Sequence, residues 1–215
     1  MSDGFAGQVA LIEHIIADPK RDSYAKRCLD VAVAGTLLLG LAPLLVFLAL
    51  LVRLETSGPA LFVQERIGRG GKPFRIFKLR TMVHREETVI RSATYGDDRI
   101  TKVGRFLRRT SLDEIPQLLN VLRGEMSLVG PRPHARGHDE AFSKTVPDYA
   151  ARFRMRPGLT GLAQVSGFRG EIREHSCILN RVAADNRYID TWSFWLDIKI
   201  ILLTVPHLIF TRQAY

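Results

Sequence analysis

Val31–Val52, VAVAGTLLLGLAPLLVFLALLV, runs for twenty-two residues without a charge and is bounded by Asp30 and Arg53. At 1.5 Å per residue a helix of this run is about 33 Å long, enough to cross a bilayer core. A single spanning helix or signal anchor is the plainest reading. A cleavable signal peptide fits poorly, because the run is long and no small-x-small site follows it. Two features favour another path. Pro43 lies mid-run, where it removes a backbone donor and crowds the Leu39 carbonyl, so a bend is expected there. Both flanks are also basic: Lys20, Arg21, Lys26 and Arg27 precede the run, and Arg53, Arg66, Arg69, Lys72, Arg75, Lys78 and Arg80 follow it. Both ends therefore prefer the cytoplasmic side. A re-entrant hairpin, entering and leaving by one leaflet, satisfies both flanks, provided protein groups satisfy the backbone that the bend exposes.

At the other end Trp192–Thr211, WSFWLDIKIILLTVPHLIFT, is apolar but contains Asp197, Lys199 and Pro206, which makes it a poor span. Trp192 and Trp195 suit the headgroup level, so an interfacial helix and a buried core helix are both readings of it. The whole chain has 215 residues, with 31 Lys and Arg against 22 Asp and Glu, for a net charge of +9. Twenty-four of the cations are arginine, whose fork grips phosphate in a bidentate way. Sixteen cations against eight acids between Ala60 and Arg136 concentrate +8 of that charge in the middle of the chain. An anionic partner follows, whether membrane, phosphorylated small molecule or nucleic acid. Cys28 and Cys177 are far apart and form no CxxC pair, so neither a disulfide framework nor a zinc cluster is expected. His134 and His138 have i, i+4 spacing, but they follow Pro131 and Pro133, so a loop is predicted there in place of a ligand-bearing helix.

Within the charged middle, Leu61–Val63 and Phe74–Leu79 predict strands around the turn IGRGGKP, a hairpin. That turn is not a P-loop, since Pro73 stands where Ser or Thr should follow Lys72. In VGRFLRRTSLDEIPQLLNVLRGEMSLVGPRP, Val103–Pro133, the apolar residues Leu112, Ile115, Leu118, Leu119 and Leu122 recur at helical spacing. Pro116 is tolerated only in a first turn, so a helix is predicted to begin near Leu112 or Asp113. Asp113 and Glu114 then have a structural reading, as a capping box Ser111-x-x-Glu114 with acids favouring the helix dipole. They also have a functional one. Arg105, Arg108 and Arg109 precede them and Arg132 follows in a rigid Pro-Arg-Pro, which suits a pyrophosphate substrate. An Asp at a helix N-terminus is expected to stay ionised, able to bind Mg²⁺ or to attack phosphorus.

These residues carry a family resemblance. Lys26-Arg27-Cys28-Leu29-Asp30, Gln64-Glu65-Arg66-Ile67-Gly68, Phe77-Lys78-Leu79-Arg80-Thr81-Met82, Ser111-Leu112-Asp113-Glu114-Ile115-Pro116-Gln117, Gly130-Pro131-Arg132-Pro133 and Arg156-Pro157-Gly158-Leu159-Thr160-Gly161, with the final Tyr215, resemble the bacterial sugar transferases, the monotopic polyprenyl-phosphate phosphoglycosyltransferases. The resemblance implies that Asp113 attacks the sugar-bearing phosphorus of a UDP-sugar, releasing UMP, and that undecaprenyl phosphate then takes up the phosphosugar. It implies that Glu114 assists, that Mg²⁺ sits at Asp113, and that Arg108 and Arg132 hold phosphate, with Lys78, Arg80 and Arg156 of the matching motifs joining the substrate-binding set. Gly161–Glu171, GLAQVSGFRGE, looks most like members that transfer glucose-1-phosphate to initiate exopolysaccharide assembly; galactose-1-phosphate or an N-acetylated sugar phosphate would use the same chemistry. The family's helix break is commonly Ser-Pro, whereas this chain has Ala42-Pro43.

The expected fold is therefore α+β and mostly helical, a monotopic membrane-associated domain with a Pro-broken re-entrant helix and interfacial amphipathic helices. Residues 1–25 form a tail, 26–54 the membrane helix and 55–215 a cytoplasmic catalytic domain. With so few residues before the hairpin, the chain is expected to be the minimal catalytic form. The resemblance places it at the cytoplasmic face of the bacterial inner membrane, among inner membrane lipids, and a homo-oligomer is permitted. No nucleic-acid partner is expected, because aromatics such as Phe74, Phe77, Tyr95 and Phe106 are sparse among the basic residues. The rival reading is a non-catalytic anchored protein that grips anionic lipid or polymer.

Overall fold

The computed structural model describes residues 23–83, 97–168, 170 and 174–210. Lys20, Arg21, Tyr95, Arg169, Glu171 and Tyr215 lie outside the described residues. The apolar run is the body of α1, Tyr24–Glu55, one helix of 32 residues and about 48 Å long. The break predicted at Pro43 does not interrupt it, because proline removes a single amide donor and the leucine-rich turns on either side remain helical. It is the one helix among the described residues long and apolar enough to cross a membrane.

Between Ala34 and Leu48 no residue of α1 is buried, although Leu44 and Leu45 pack against the body and exposed apolar side chains continue to Leu54. Leu39 is 81% exposed and Val46 71%, whereas Ala34 before Pro43 and Leu48 and Val52 after it are buried. Val33, Ala34 and Leu38 pack on the main core with Val121, Leu128 and Ile200, while Leu48 and Val52 pack with Leu79 and Leu107. Both arms thus rest on the same globular body. The first turn is fastened by Lys26, whose Nζ donates to the Val129 carbonyl at 3.0 Å, to Asp197 Oδ2 at 2.6 Å and to the Tyr188 hydroxyl at 3.2 Å, using all three of its protons. This buried pair joins α1 to α7, Phe194–Phe210. Removing one partner strands the other charge, so Lys26→Met is expected to destabilise the protein by about 3–5 kcal/mol. A thermal unfolding midpoint in detergent should fall by roughly 6 °C or more; an unchanged midpoint would show that the pair holds nothing.

After α1, β1 (Leu61–Ile67) and β2 (Pro73–Leu79) pair antiparallel, with Leu61 opposite Leu79 and Ile67 opposite Pro73. The predicted hairpin is present, and β1 runs on to Ile67 because backbone pairing continues through the polar Gln64–Arg66. Its turn places Gly70 and Gly71 at φ 67° and 72°, the left-handed region that glycine enters without a Cβ clash. Side chains alternate along β2, so Phe74 and Ile76 reach the core and Lys78 shares their inward face.

The chain returns in α2, Lys102–Thr110, whose first amides are capped by Glu55 Oε1, 2.7 Å from the Lys102 nitrogen, and by Thr101 Oγ1, 2.9 Å from that of Gly104. The helix predicted near Leu112 is a 3₁₀ segment, Leu112–Gln117, and an α-helix, α3, forms only over Leu118–Arg123. The predicted capping box is not made. Ser111 ends α2 in the left-handed conformation, φ 57°, and its side chain caps no amide of the segment; a capping serine needs extended backbone.

Strand β3 (Ser127–Val129) pairs parallel with β4 (Gly158–Thr160). Between them α4, Arg136–Thr145, carries His138, which corrects the predicted loop: the helix starts after both prolines, leaving only His134 outside it. Helices α5 (Leu162–Val165) and α6 (His175–Asp190) precede α7. In α7 Asp197 and Ile200 are buried while Trp195 and Leu202 are exposed, so one face belongs to the core and the other presents apolar side chains outward. The described residues thus form a mostly helical α+β domain with two small sheets and one long apolar helix among them.

Candidate active site

The 3₁₀ segment packs against β2 and carries the acid pair in its first turn. Glu114 is fully engaged. Its Oε1 accepts from Lys78 Nζ at 2.9 Å and from Arg132 Nη2, and its Oε2 accepts from Arg132 Nη1 at 3.1 Å, a two-pronged grip. Burial alone would keep the proton on Glu114, but the two cations win and hold its carboxyl well below the usual range. Lys78 is in turn pushed down by burial, with Glu114 opposing.

Asp113, one residue earlier, is placed differently. The residue is buried, 8% exposed, and among the described residues no hydrogen bond or ion pair engages its carboxylate. Burial, and then the Glu114 charge, push it up to about 6, against the pull of Lys78, Arg108 and Arg132. The carboxyl stays ionised at neutral pH as expected, but the helix start is not what sets its position. A six-residue 3₁₀ segment offers little dipole, and desolvation of the carboxylate outweighs it. At pH 7 the group is still about nine-tenths anionic, an unpartnered nucleophile beside three cations.

The loop that carries Arg132 is held by its backbone. Pro131 and Pro133 have no amide proton to give, and the Gly130 nitrogen donates to the Thr160 carbonyl at 2.9 Å while the Gly158 nitrogen donates to that of Pro131 at 2.9 Å. The approach is so close that a Cβ on Gly158 would sit 2.1 Å from the Gly130 nitrogen. Arg108 is steadied by its Nε bond to Thr81 Oγ1, 2.8 Å.

Of the residues read from the sequence, Asp113, Glu114, Lys78, Arg108 and Arg132 come together here. Arg80 and Arg156 are employed elsewhere. The Arg80 guanidinium, 5% exposed, donates to the carbonyls of Thr56 (2.9 Å), Ser57 and Gly58 (3.3 Å), closing the exit of α1. Arg156 directs Nε to the Gly124 carbonyl at 2.9 Å, behind α3. Pro43 is exposed, in the stretch of α1 that has no buried residue. Thr81 lay inside a quoted motif without a role, and neither Arg152 nor Asp185, described below, has a local pattern that would have singled it out.

A family model described as bacterial sugar transferase matches residues 21–211. A UDP-glucose:undecaprenyl-phosphate glucose-1-phosphate transferase of Caulobacter vibrioides is 58% identical over 191 residues, 88% of this chain and 72% of the relative. The Escherichia coli K12 protein of the same name is 47% identical over 88% of this chain, which spans only 41% of that protein. Exopolysaccharide production protein PSS of Rhizobium leguminosarum bv. phaseoli is 42% identical over 86% of this chain and 94% of its own. The matched region contains the acid pair, its cations and the long apolar helix, and with identity at this level the chain belongs to the bacterial sugar transferase family.

Proposed function

We propose that the protein transfers glucose-1-phosphate from UDP-glucose to undecaprenyl phosphate through a phosphosugar carried on Asp113. The observation that carries this reading is the contrast within the acid pair. Glu114 is saturated by Lys78 and Arg132, while the neighbouring Asp113 is buried, unpartnered and surrounded by positive charge. An Asp113 oxygen attacks the sugar-bearing phosphorus, and the bond from that phosphorus to the bridging oxygen breaks, so that UMP leaves with the electron pair. A phosphate oxygen of the lipid then attacks the same phosphorus and the Asp113 carboxylate departs unchanged, leaving a lipid diphosphosugar. Lys78, Arg108 and Arg132 neutralise charge on the phosphoryl oxygens in both steps. Glu114 orients Lys78 and Arg132 through its two oxygens and takes no proton.

Among the described residues no group of three metal-ligating side chains converges. That fits Mg²⁺, which commonly takes one or two carboxylates and completes its shell with substrate phosphates and water. Asp113 is the carboxylate with oxygens to offer. When bound, the ion would reduce the repulsion between nucleophile and pyrophosphate.

The long helix is read as re-entrant, with the site at the headgroup plane of the cytoplasmic face. In support, its two arms pack on one body while its apolar middle, residues 35–47, has no buried residue, and both flanks are basic. Protease access to both termini in inverted vesicles tests this; one protected terminus would replace it with a span. The glucose assignment leans on the relatives, of which the Caulobacter protein is the more similar; an Aeromonas hydrophila relative named for N-acetylgalactosamine phosphate transfer is 38% identical.

The test is UMP release by purified protein with Mg²⁺, undecaprenyl phosphate and a panel of UDP-sugars. Release with UDP-glucose, and lipid-dependent turnover, is the expected result. Release with another donor alone would change the sugar, and no release with any donor would overturn the reading in favour of an anchored binding protein.

A further inference from the structure

Behind the Pro-Arg-Pro loop lies a buried charged cluster to which the reaction above gives no task. Arg152 stands in the 3₁₀ segment Tyr149–Arg154 and is 3% exposed. Its Nη2 donates to the backbone carbonyl of Arg132 at 2.6 Å and to Asp185 Oδ2, on α6, at 2.8 Å. Its Nη1 meets His134 Nδ1 at 2.7 Å and the Tyr149 hydroxyl at 3.0 Å, and that hydroxyl donates to Asp139 Oδ1 at 2.6 Å. One guanidinium thus grips the loop at Arg132 and again two residues later.

Burying such a cluster is a poor way to gain stability. Desolvating several charges costs several kcal/mol per ion, and apolar side chains of similar volume often serve as well or better. Here the arrangement also leaves Arg152 Nε, Asp139 Oδ2 and His134 Nε2 buried without a hydrogen-bond partner among the described residues. What the cluster achieves is geometric. The two prolines deny the loop its own amide donors at 131 and 133, so its carbonyls take the bonds that orient it: Gly158 holds the Pro131 carbonyl before Arg132, and Arg152 holds that of Arg132 itself. Asp185 accepts from the same Nη2 and so aims it.

We propose that Arg152, aimed by Asp185, is a positioning residue that sets the Arg132 fork on Glu114 and on the phosphate that arrives beside Asp113. The inference rests on the function proposed above. It makes α6, well away from the acid pair in sequence, part of what keeps the site in register, where a displacement near 1 Å can lower a rate about 100-fold.

A double-mutant cycle tests it. Asp185→Asn, which keeps size and shape, and Arg152→Lys, which keeps charge but loses the fork, are each made alone and in an Arg132→Ala background. Turnover and KM come from UMP release, with single-turnover release for the slow variants, and each protein is checked by thermal unfolding. Either change alone is expected to lower kcat by roughly 10- to 100-fold. In the Arg132→Ala background the same change should lower it by less than about 3-fold, because the group being positioned is already gone. Equal losses in both backgrounds, or no loss in the native one, would overturn the proposal and leave the cluster a support of the fold. Should Arg152→Lys not fold, Asp185→Asn alone decides. Absence of UMP release by the unmodified protein is a different failure: it removes the proposed function, and this inference with it.

Discussion

Replacing Asp113 with asparagine is expected to abolish lipid-dependent UMP release, a loss of about 10⁴-fold or more, in a protein that is at least as stable as the original. An amide cannot form the acyl phosphate that the exchange requires, yet it fills the same space. The stability sign follows from the position of the carboxyl. Its pKa is raised by burial and by Glu114 from 3.8 to about 6 in the folded protein. As pH rises through that window the unfolded chain loses the proton first, so above pH 6 the ionised Asp113 weakens the fold. Asparagine removes this penalty, for a gain on the order of 1–3 kcal/mol at pH 7. The thermal midpoint should rise by several degrees. In the unmodified protein the same group should give kcat/KM an acid limb near pH 6, since only the anion attacks. Wild-type turnover in the asparagine variant would sink the covalent mechanism, and a lower midpoint would contradict the electrostatic account of the site.

The second large effect is expected at Glu114. Glu114→Gln keeps the shape but removes the charge that engages Lys78 and Arg132. Those cations, partly buried and stripped of their partner, would turn to the nearest anion, which is Asp113. The nucleophile would then be occupied before substrate arrives, and turnover should fall by roughly 10²- to 10³-fold. The pH profile separates this account from a general-base role. Loss of the neighbouring negative charge relieves Asp113, so the acid limb of the residual kcat/KM should move below pH 6. A limb that stays in place, or rises, would mean that Glu114 acts some other way.

Much of this was written locally. The uncharged length of Val31–Val52 required a long apolar helix, and the paired glycines after Gly68 required a tight turn between strands. The acid pair and its basic surroundings were visible because Arg108 lies just before Asp113 and because two prolines stiffen the residue between them, Arg132. Where the reading failed, the reason was a distant neighbour. Ser111 and Glu114 match a capping box, but Ser111 is needed to end α2 and Glu114 is claimed by Lys78 and Arg132. Arg80 reads like another phosphate ligand until the end of α1 presents three carbonyls to it. His138 looks confined to a loop until α4 is seen to begin at Arg136.

By itself, then, the order of residues determined the elements and the inventory of chemistry: one membrane-length helix, a hairpin, two adjacent carboxylates and an excess of arginine forks. Spacing and composition act over a few residues, and the sequence displays them directly. Tertiary structure decided which cation meets which acid. Lys78 comes to Glu114 across 36 residues and Arg132 across 18, through strand alternation in β2 and the β3–β4 pairing that holds the loop. Desolvation decided the rest, because whether a carboxylate is engaged or left as a nucleophile depends on what is packed around it, and that is a property of the folded interior alone.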